Sequence, residues 1–105
     1  MRDLTPAERT IVTLCLDEAA NGDYFPDWEF ETLIGASRST VRDAALRFST
    51  GLEISPEMES VALSVLNNLL GYPHAKMDQL ERNTRAEGRT ILEAFTRLQK
   101  SASLD

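Results

Sequence analysis

Residues 35–48 read GASRSTVRDAALRF. A glycine and short hydroxyl residues surround Arg38, and then Val41, Ala44, Ala45 and Phe48 recur at intervals of three and four, the spacing of one face of a helix. This predicts a turn and then a helix, with Ser37 or Ser39 at its N-cap. Upstream, Phe30, Leu33 and Ile34 give a short helix over 28–34, with Asp27 as its cap and Gly35 as its stop. Further upstream, Thr5-Pro6-Ala7-Glu8 combines a threonine cap, a proline at the first helical position and a glutamate that completes a capping box. Apolar residues from Ile11 to Ala19 carry that first helix to Asn21-Gly22, and 23–26 reads as a loop.

Downstream of Gly51 the pattern starts again. Ser55-Pro56 repeats the hydroxyl-proline start, a strongly apolar helix over 58–70 ends at Gly71-Tyr72-Pro73, and further helices are expected at roughly 75–83 and 87–100. Shifting the chain by 50 residues lays Leu4-Thr5-Pro6 on Ile54-Ser55-Pro56, Ile11 on Val61, Leu16 on Leu66, Thr40-Val41 on Thr90-Ile91, and Arg47-Phe48 on Arg97-Leu98. The expected fold is therefore all-α: one compact domain spanning 1–105, with five to six short helices. A tri-helical helix-turn-helix-like unit is followed by a related one, as a pseudo-repeat of 4–50 and 54–100. The helix over 58–70 is the expected central packing element.

A chain of 105 residues with 42% hydrophobic and 27% charged residues has the composition of a folded single domain. Its apolar runs are too short to cross a bilayer and its first residues lack a signal-peptide core, so the expected address is cytoplasmic, with no membrane association. Cys15 is the one cysteine, set in the apolar run IVTLCL, and is expected to be a buried small side chain. The net charge of −6 argues against indiscriminate affinity for polyanions. It is unevenly spread: residues 1–34 carry Arg2 and Arg9 against Asp3, Glu8, Asp17, Glu18, Asp23, Asp27, Glu29 and Glu31, whereas 35–48 carry Arg38, Arg42 and Arg47 against Asp43 alone.

In a helix-turn-helix the second helix presents its first turns to the major groove, so Ser37, Arg38, Ser39, Thr40 and Arg42 are useful types in useful places. The segment resembles the recognition helix of GntR-type winged helix-turn-helix regulators in Gly35, Ala36, Ser37, Arg38, Ser39, Val41, Arg42, Asp43 and Ala44. The resemblance implies DNA contacts from Ser37, Arg38, Ser39 and Arg42, and the small contact area of one short helix implies a homodimer. It covers fifteen to twenty residues. Glu31 stands where the family has a small residue at the helix crossing, and Gly51 to Pro56 leads directly into a helix with no wing. In the second unit Arg85 replaces Gly35 and Leu92 replaces Arg42, so that unit reads as scaffold or partner-binding surface.

The alternative is a protein-interaction module, an inhibitor, anti-activator or immunity-type protein. Core packing is the default reading of the aromatic group Tyr24, Phe25, Trp28 and Phe30; in the alternative, an acidic and aromatic surface of Tyr24, Asp27, Trp28 and Glu29 would meet a partner with a basic surface. An enzyme is not expected. His74 is the single histidine and reads as a loop residue, no calcium-loop or phosphate-loop spacing occurs, and no catalytic, cofactor or metal site is expected.

Overall fold

A computed structural model describes residues 4–51 and 53–103; Arg2, Asp3 and Leu52 lie outside the described residues. Six helices account for the fold: α1 (Pro6–Asn21), α2 (Asp27–Ile34), α3 (Arg38–Thr50), α4 (Pro56–Gly71), α5 (Met77–Thr84) and α6 (Gly88–Ser103). There is no strand among the described residues. Each helix of the second unit begins 50 residues after its counterpart in the first.

Local chemistry sets the starts. The Thr5 hydroxyl accepts from the Glu8 amide and the Glu8 carboxylate accepts from the Thr5 amide, which completes the expected capping box. Ser37 and Ser55 cap α3 and α4 by the hydroxyl alone, which accepts from the Thr40 and Met58 amides. Helix α2 differs from the expectation. Pro26 occupies its N-cap position with no side-chain bond, and Asp27 is the first helical residue, its carboxylate bound elsewhere.

Burial repeats with the helices. Val12, Cys15, Leu16, Ala19, Phe30, Val41, Ala44 and Phe48 are buried in the first unit, and Ala62, Val65, Leu66, Leu69, Leu80, Ile91, Ala94 and Leu98 occupy the corresponding positions in the second. All belong to one core. The units are interlocked: α2 packs on α4, α5 packs on α1, and α1 and α4 pack on each other at the centre. Helix α4 thus shares the central role with α1. The contact between α1 and α3 is the most extensive in the molecule. Ala19, Ala20, Ala44 and Ala45 stand there where the second unit has Leu69, Leu70, Ala94 and Phe95, and small side chains let the two helix axes approach.

Cross-docking also explains Glu31. Because α2 leans on α4 rather than pressing on α3, no small residue is needed at the crossing, and Glu31 is exposed. Gly35 follows in the left-handed region (φ 81°) that glycine tolerates, and its amide donates to the Glu31 carbonyl at 2.7 Å. At the end of α1, Gly22 is required for a different reason. A Cβ there would lie 2.7 Å from the Glu18 carbonyl oxygen and 2.9 Å from the Tyr24 ring.

Candidate functional site

The expected DNA-reading residues sit at the start of α3, beside the end of α1. An α-helix leaves its last four carbonyls without intrahelical donors. Arg38 satisfies two of them and the chain beyond: Nη1 donates to Ala19 O and Ala20 O, both at 3.1 Å, and to Gly22 O at 3.4 Å, while Nη2 donates to Phe25 O at 3.1 Å and Asp27 Oδ1 at 2.9 Å. The guanidinium carbon lies 4.2 Å from the Phe30 ring centroid. A cation at the negative end of the helix dipole, stacked on an aromatic face, is stabilised three ways at once. Arg42 adds to the same cap, with Nε donating to Asn21 Oδ1 at 2.8 Å and Nη2 to Ala20 O at 3.4 Å.

Of the remaining two, Ser37 accepts from the Thr40 amide and shares a hydrogen bond with the Thr40 hydroxyl, so its oxygen serves the start of α3. Ser39 is exposed. The segment 37–42 therefore holds α1, α2 and α3 together, and its two arginines face the carbonyls of α1.

The acidic and aromatic residues divide as sharply. Tyr24, a candidate partner contact in the alternative reading, is packed instead, at 2% exposed; its hydroxyl donates to Glu18 Oε1 at 2.7 Å, and burial together with that carboxylate pushes its pKa well up. Glu29 is half-buried and accepts from the Tyr72 hydroxyl at 3.1 Å, an arrangement in which desolvation and the carboxylate raise the Tyr72 pKa. Asp27 and Trp28 are at the surface. The Asp27 side chain remains 95% exposed despite its ion pair with Arg38, and Trp28 is 81% exposed.

Around these residues the loops of the two units meet. His74 Nε2 lies 2.7 Å from Leu69 O and its Nδ1 accepts from the Lys76 amide at 2.9 Å; a carbonyl can only accept, so the ring proton is on Nε2. The imidazole packs edge-on to Tyr24 and Phe25. Lys76 Nζ bonds Asp23 Oδ2 at 3.0 Å, which lowers the Asp23 pKa. A shallow depression of about 460 Å³ lies here between Asp23, Asp27, Arg38, Pro73 and His74, with its polar side chains already paired to one another or to the backbone. Cys15 is fully buried, and desolvation first, then Glu18, pushes its pKa to about 12, which keeps the thiol protonated and unreactive.

The second unit, which the sequence presents as scaffold or partner-binding surface, carries a group of exposed cations. Arg82, Arg85 and Arg89 are all exposed, at the positions of Thr32, Gly35 and Ser39. Their signal was already visible as three neutral residues exchanged for arginine in the 50-residue alignment. Leu92, in the place of Arg42, is 49% exposed. Exposed apolar side chains thus occur on both units, Trp28 on α2 and Leu92 on α6, with Leu46 of α3 60% exposed.

No protein-family model matches the chain, and no curated protein or solved structure matches it either. Among the described residues no helix is long and apolar enough to cross a membrane, and no group of three or more His, Cys, Asp or Glu side chains is placed to hold a metal ion.

Proposed function

We propose that this chain is a non-enzymatic interaction protein whose α2 face receives a basic segment of a partner protein. The observation that carries this reading is Trp28: a large aromatic side chain, 81% exposed, on a helix whose charged residues, Asp27, Glu29 and Glu31, are all acidic. Tryptophan is a frequent binding anchor, and flanking carboxylates select a cationic partner. The helix beneath it is held from several sides, by Arg38 on Asp27, Tyr72 on Glu29 and Asn68 on the Leu33 carbonyl, so little ordering cost remains when a partner docks.

The competing reading, DNA recognition by Ser37, Arg38, Ser39 and Arg42 in the manner of GntR-type regulators, rests on the helix-turn-helix path and the turn at Gly35. It requires Arg38 and Arg42 to leave the end of α1, or to meet phosphate while still bonded there. The acidic α2 face beside them adds repulsion.

Trp28 is the only tryptophan, so its fluorescence reports directly on its surroundings. Titration with arginine- and lysine-rich peptides is expected to shift its emission to shorter wavelength, and an acidic peptide is expected to leave it unchanged. Asp27→Asn with Glu31→Gln should weaken the basic-peptide affinity about tenfold, equivalent to ~1.4 kcal/mol. No emission change with any basic peptide overturns the reading. Salt-sensitive retention of duplex DNA that is lost in Arg42→Ala favours DNA instead.

A further inference from the structure

We infer that the basic partner is a second copy of this chain: the Trp28 face of one copy docks on the α5–α6 face of the next, head to tail. The inference rests on the reading of the α2 face given above and supplies the identity of what it binds.

The two surfaces occupy equivalent places in the two units, so their backbone shapes correspond while their chemistry is opposite. On α2, its turn and the first residues of α3 the exposed positions are Asp27, Trp28, Glu31, Thr32, Gly35 and Ser39; exposed Arg42, at the position of Leu92, is turned to Asn21 Oδ1 and Ala20 O. On α5 and its turn, Thr32, Gly35 and Ser39 are replaced by exposed Arg82, Arg85 and Arg89. No ion pair engages these three guanidiniums among the described residues, in contrast to Arg38, Lys76 and Arg97. Asp78 and Glu87 are exposed beside them, and the Glu81 carboxylate is taken up by the Gly88 amide at 2.6 Å. Arg85 holds its place at φ 55°, in the left-handed region where its counterpart is glycine.

A guanidinium is the side-chain cation best suited to stack on an indole while bonding a carboxylate with its edge. Arg82, Arg85 and Arg89 offer three, and Leu92 one turn further along α6 gives an apolar contact for the ring. Asp27 and Glu31 supply the carboxylates. Because the two faces differ, one such contact leaves one unused face on each copy, and those faces either meet each other, closing a two-fold pair, or bind further copies. Assembly therefore ends in a closed pair or continues to a ring or a chain.

Single-face variants make this testable without risk to the fold. Trp28→Ala removes one face. Arg82→Thr with Arg85→Gly and Arg89→Ser removes the other by installing the first unit's own residues, and relieves the left-handed arginine. Sedimentation velocity over rising concentration is expected to show wild-type protein assembling, as a closed pair, ring or chain, and each variant alone remaining monomeric. An equimolar mixture of the two variants is expected to form a one-to-one dimer and stop there. In that mixture the Trp28→Ala copy has no tryptophan, so a shift of emission to shorter wavelength reports only Trp28 of the triple variant docking on its partner. Recovery by mixing shows that both variants are folded.

A wild-type protein that stays monomeric, variants that still associate alone, or a mixture that fails to dimerise while wild type assembles each overturns the inference. The α2 reading is judged separately. If wild type is monomeric yet basic peptides shift Trp28 emission, self-association fails and the acidic docking face stands. If peptides also leave the emission unchanged, both fail. Binding of duplex DNA by monomeric protein, lost in the triple arginine variant, overturns the inference in favour of a nucleic-acid surface.

Discussion

Arg38 is the residue on which the sequence pattern and the folded molecule part. At the first position of α3, three residues after Gly35 opens the segment, it has the place that the GntR resemblance gives to a DNA-contacting arginine. Its guanidinium instead closes the end of α1, reaching carbonyls 16 to 19 positions upstream and one in the loop at Phe25. Nothing within a helical window announces such a contact, because the acceptors are backbone atoms whose positions depend on how α1 and α3 cross. The consequence is a stability role. Hydrogen bonds from a charged donor contribute roughly 1.5–3 kcal/mol each where the partner is otherwise desolvated, but water reaches part of this site because the Arg38 side chain is 21% exposed. Arg38→Ala is therefore expected to cost about 2–4 kcal/mol, including the lost stacking on Phe30. Arg38→Lys keeps the charge and loses the planar fork, and should cost roughly half as much. Urea unfolding followed by circular dichroism measures both as a lowered midpoint at unchanged slope. An Arg38→Ala protein as stable as wild type would show that the guanidinium contributes nothing at the end of α1.

At the scale of helices, what was legible follows the range of the interaction. Thr5 and Ser55 are legible as caps because a cap and its amide lie three residues apart, and of Ser37 and Ser39, between which the sequence leaves the α3 cap open, Ser37 takes it. The 50-residue register of the helix starts was visible for the same reason. Asp27 is not the cap that its position suggests because its carboxylate is claimed by Arg38, and of the two readings of Tyr24, packing and partner contact, the structure has packing, against the distant His74 loop. Cross-docking of α2 on α4 was equally hidden. It is fastened by polar side chains: Ser64 Oγ donates to Ile34 O at 2.7 Å, and Asn68 Nδ2 donates to Leu33 O at 3.0 Å. The equivalent tie in the other direction is between Glu18, at the position of Asn68, and Asn83, at the position of Leu33, at 2.8 Å. Helix α2 has only eight residues, too short to hold itself without tertiary support. Ser64→Ala with Asn68→Ala should destabilise the protein by about 2 kcal/mol, at ~1 kcal/mol per lost bond. Amide hydrogen exchange should quicken in α2 before it does in α1 or α3. Uniform quickening in all helices would mean that α2 is not fastened separately.

At the scale of the molecule, the exchange of second helices decides what can fold. In a string of two independent tri-helical domains each half would keep its own core. Here α2 rests on the first helix of the second unit, α5 rests on the first helix of the first, and α1 and α4 pack directly together. A half of about 50 residues is near the lower limit for a self-sufficient core even when all its apolar faces are covered. This one would expose Phe30 and Ile34 of α2, together with the face of α1 that carries α4. A peptide of residues 1–51 is therefore expected to show little helical circular dichroism and no cooperative thermal transition, and likewise a peptide of residues 52–105. Mixing the two should restore helicity, because every docking surface that one half lacks is present on the other. The restored signal should depend on concentration, as in an obligate heterodimer. A first half that folds cooperatively alone would show that its core closes without α4, and would separate the pseudo-repeat into two true domains. The interlocked arrangement also bears on the two exposed faces. Since α2 and α5 are each anchored to the other unit, the acidic face and the arginine face are fixed to one rigid body, so partners on the two faces would be held at a set distance and angle.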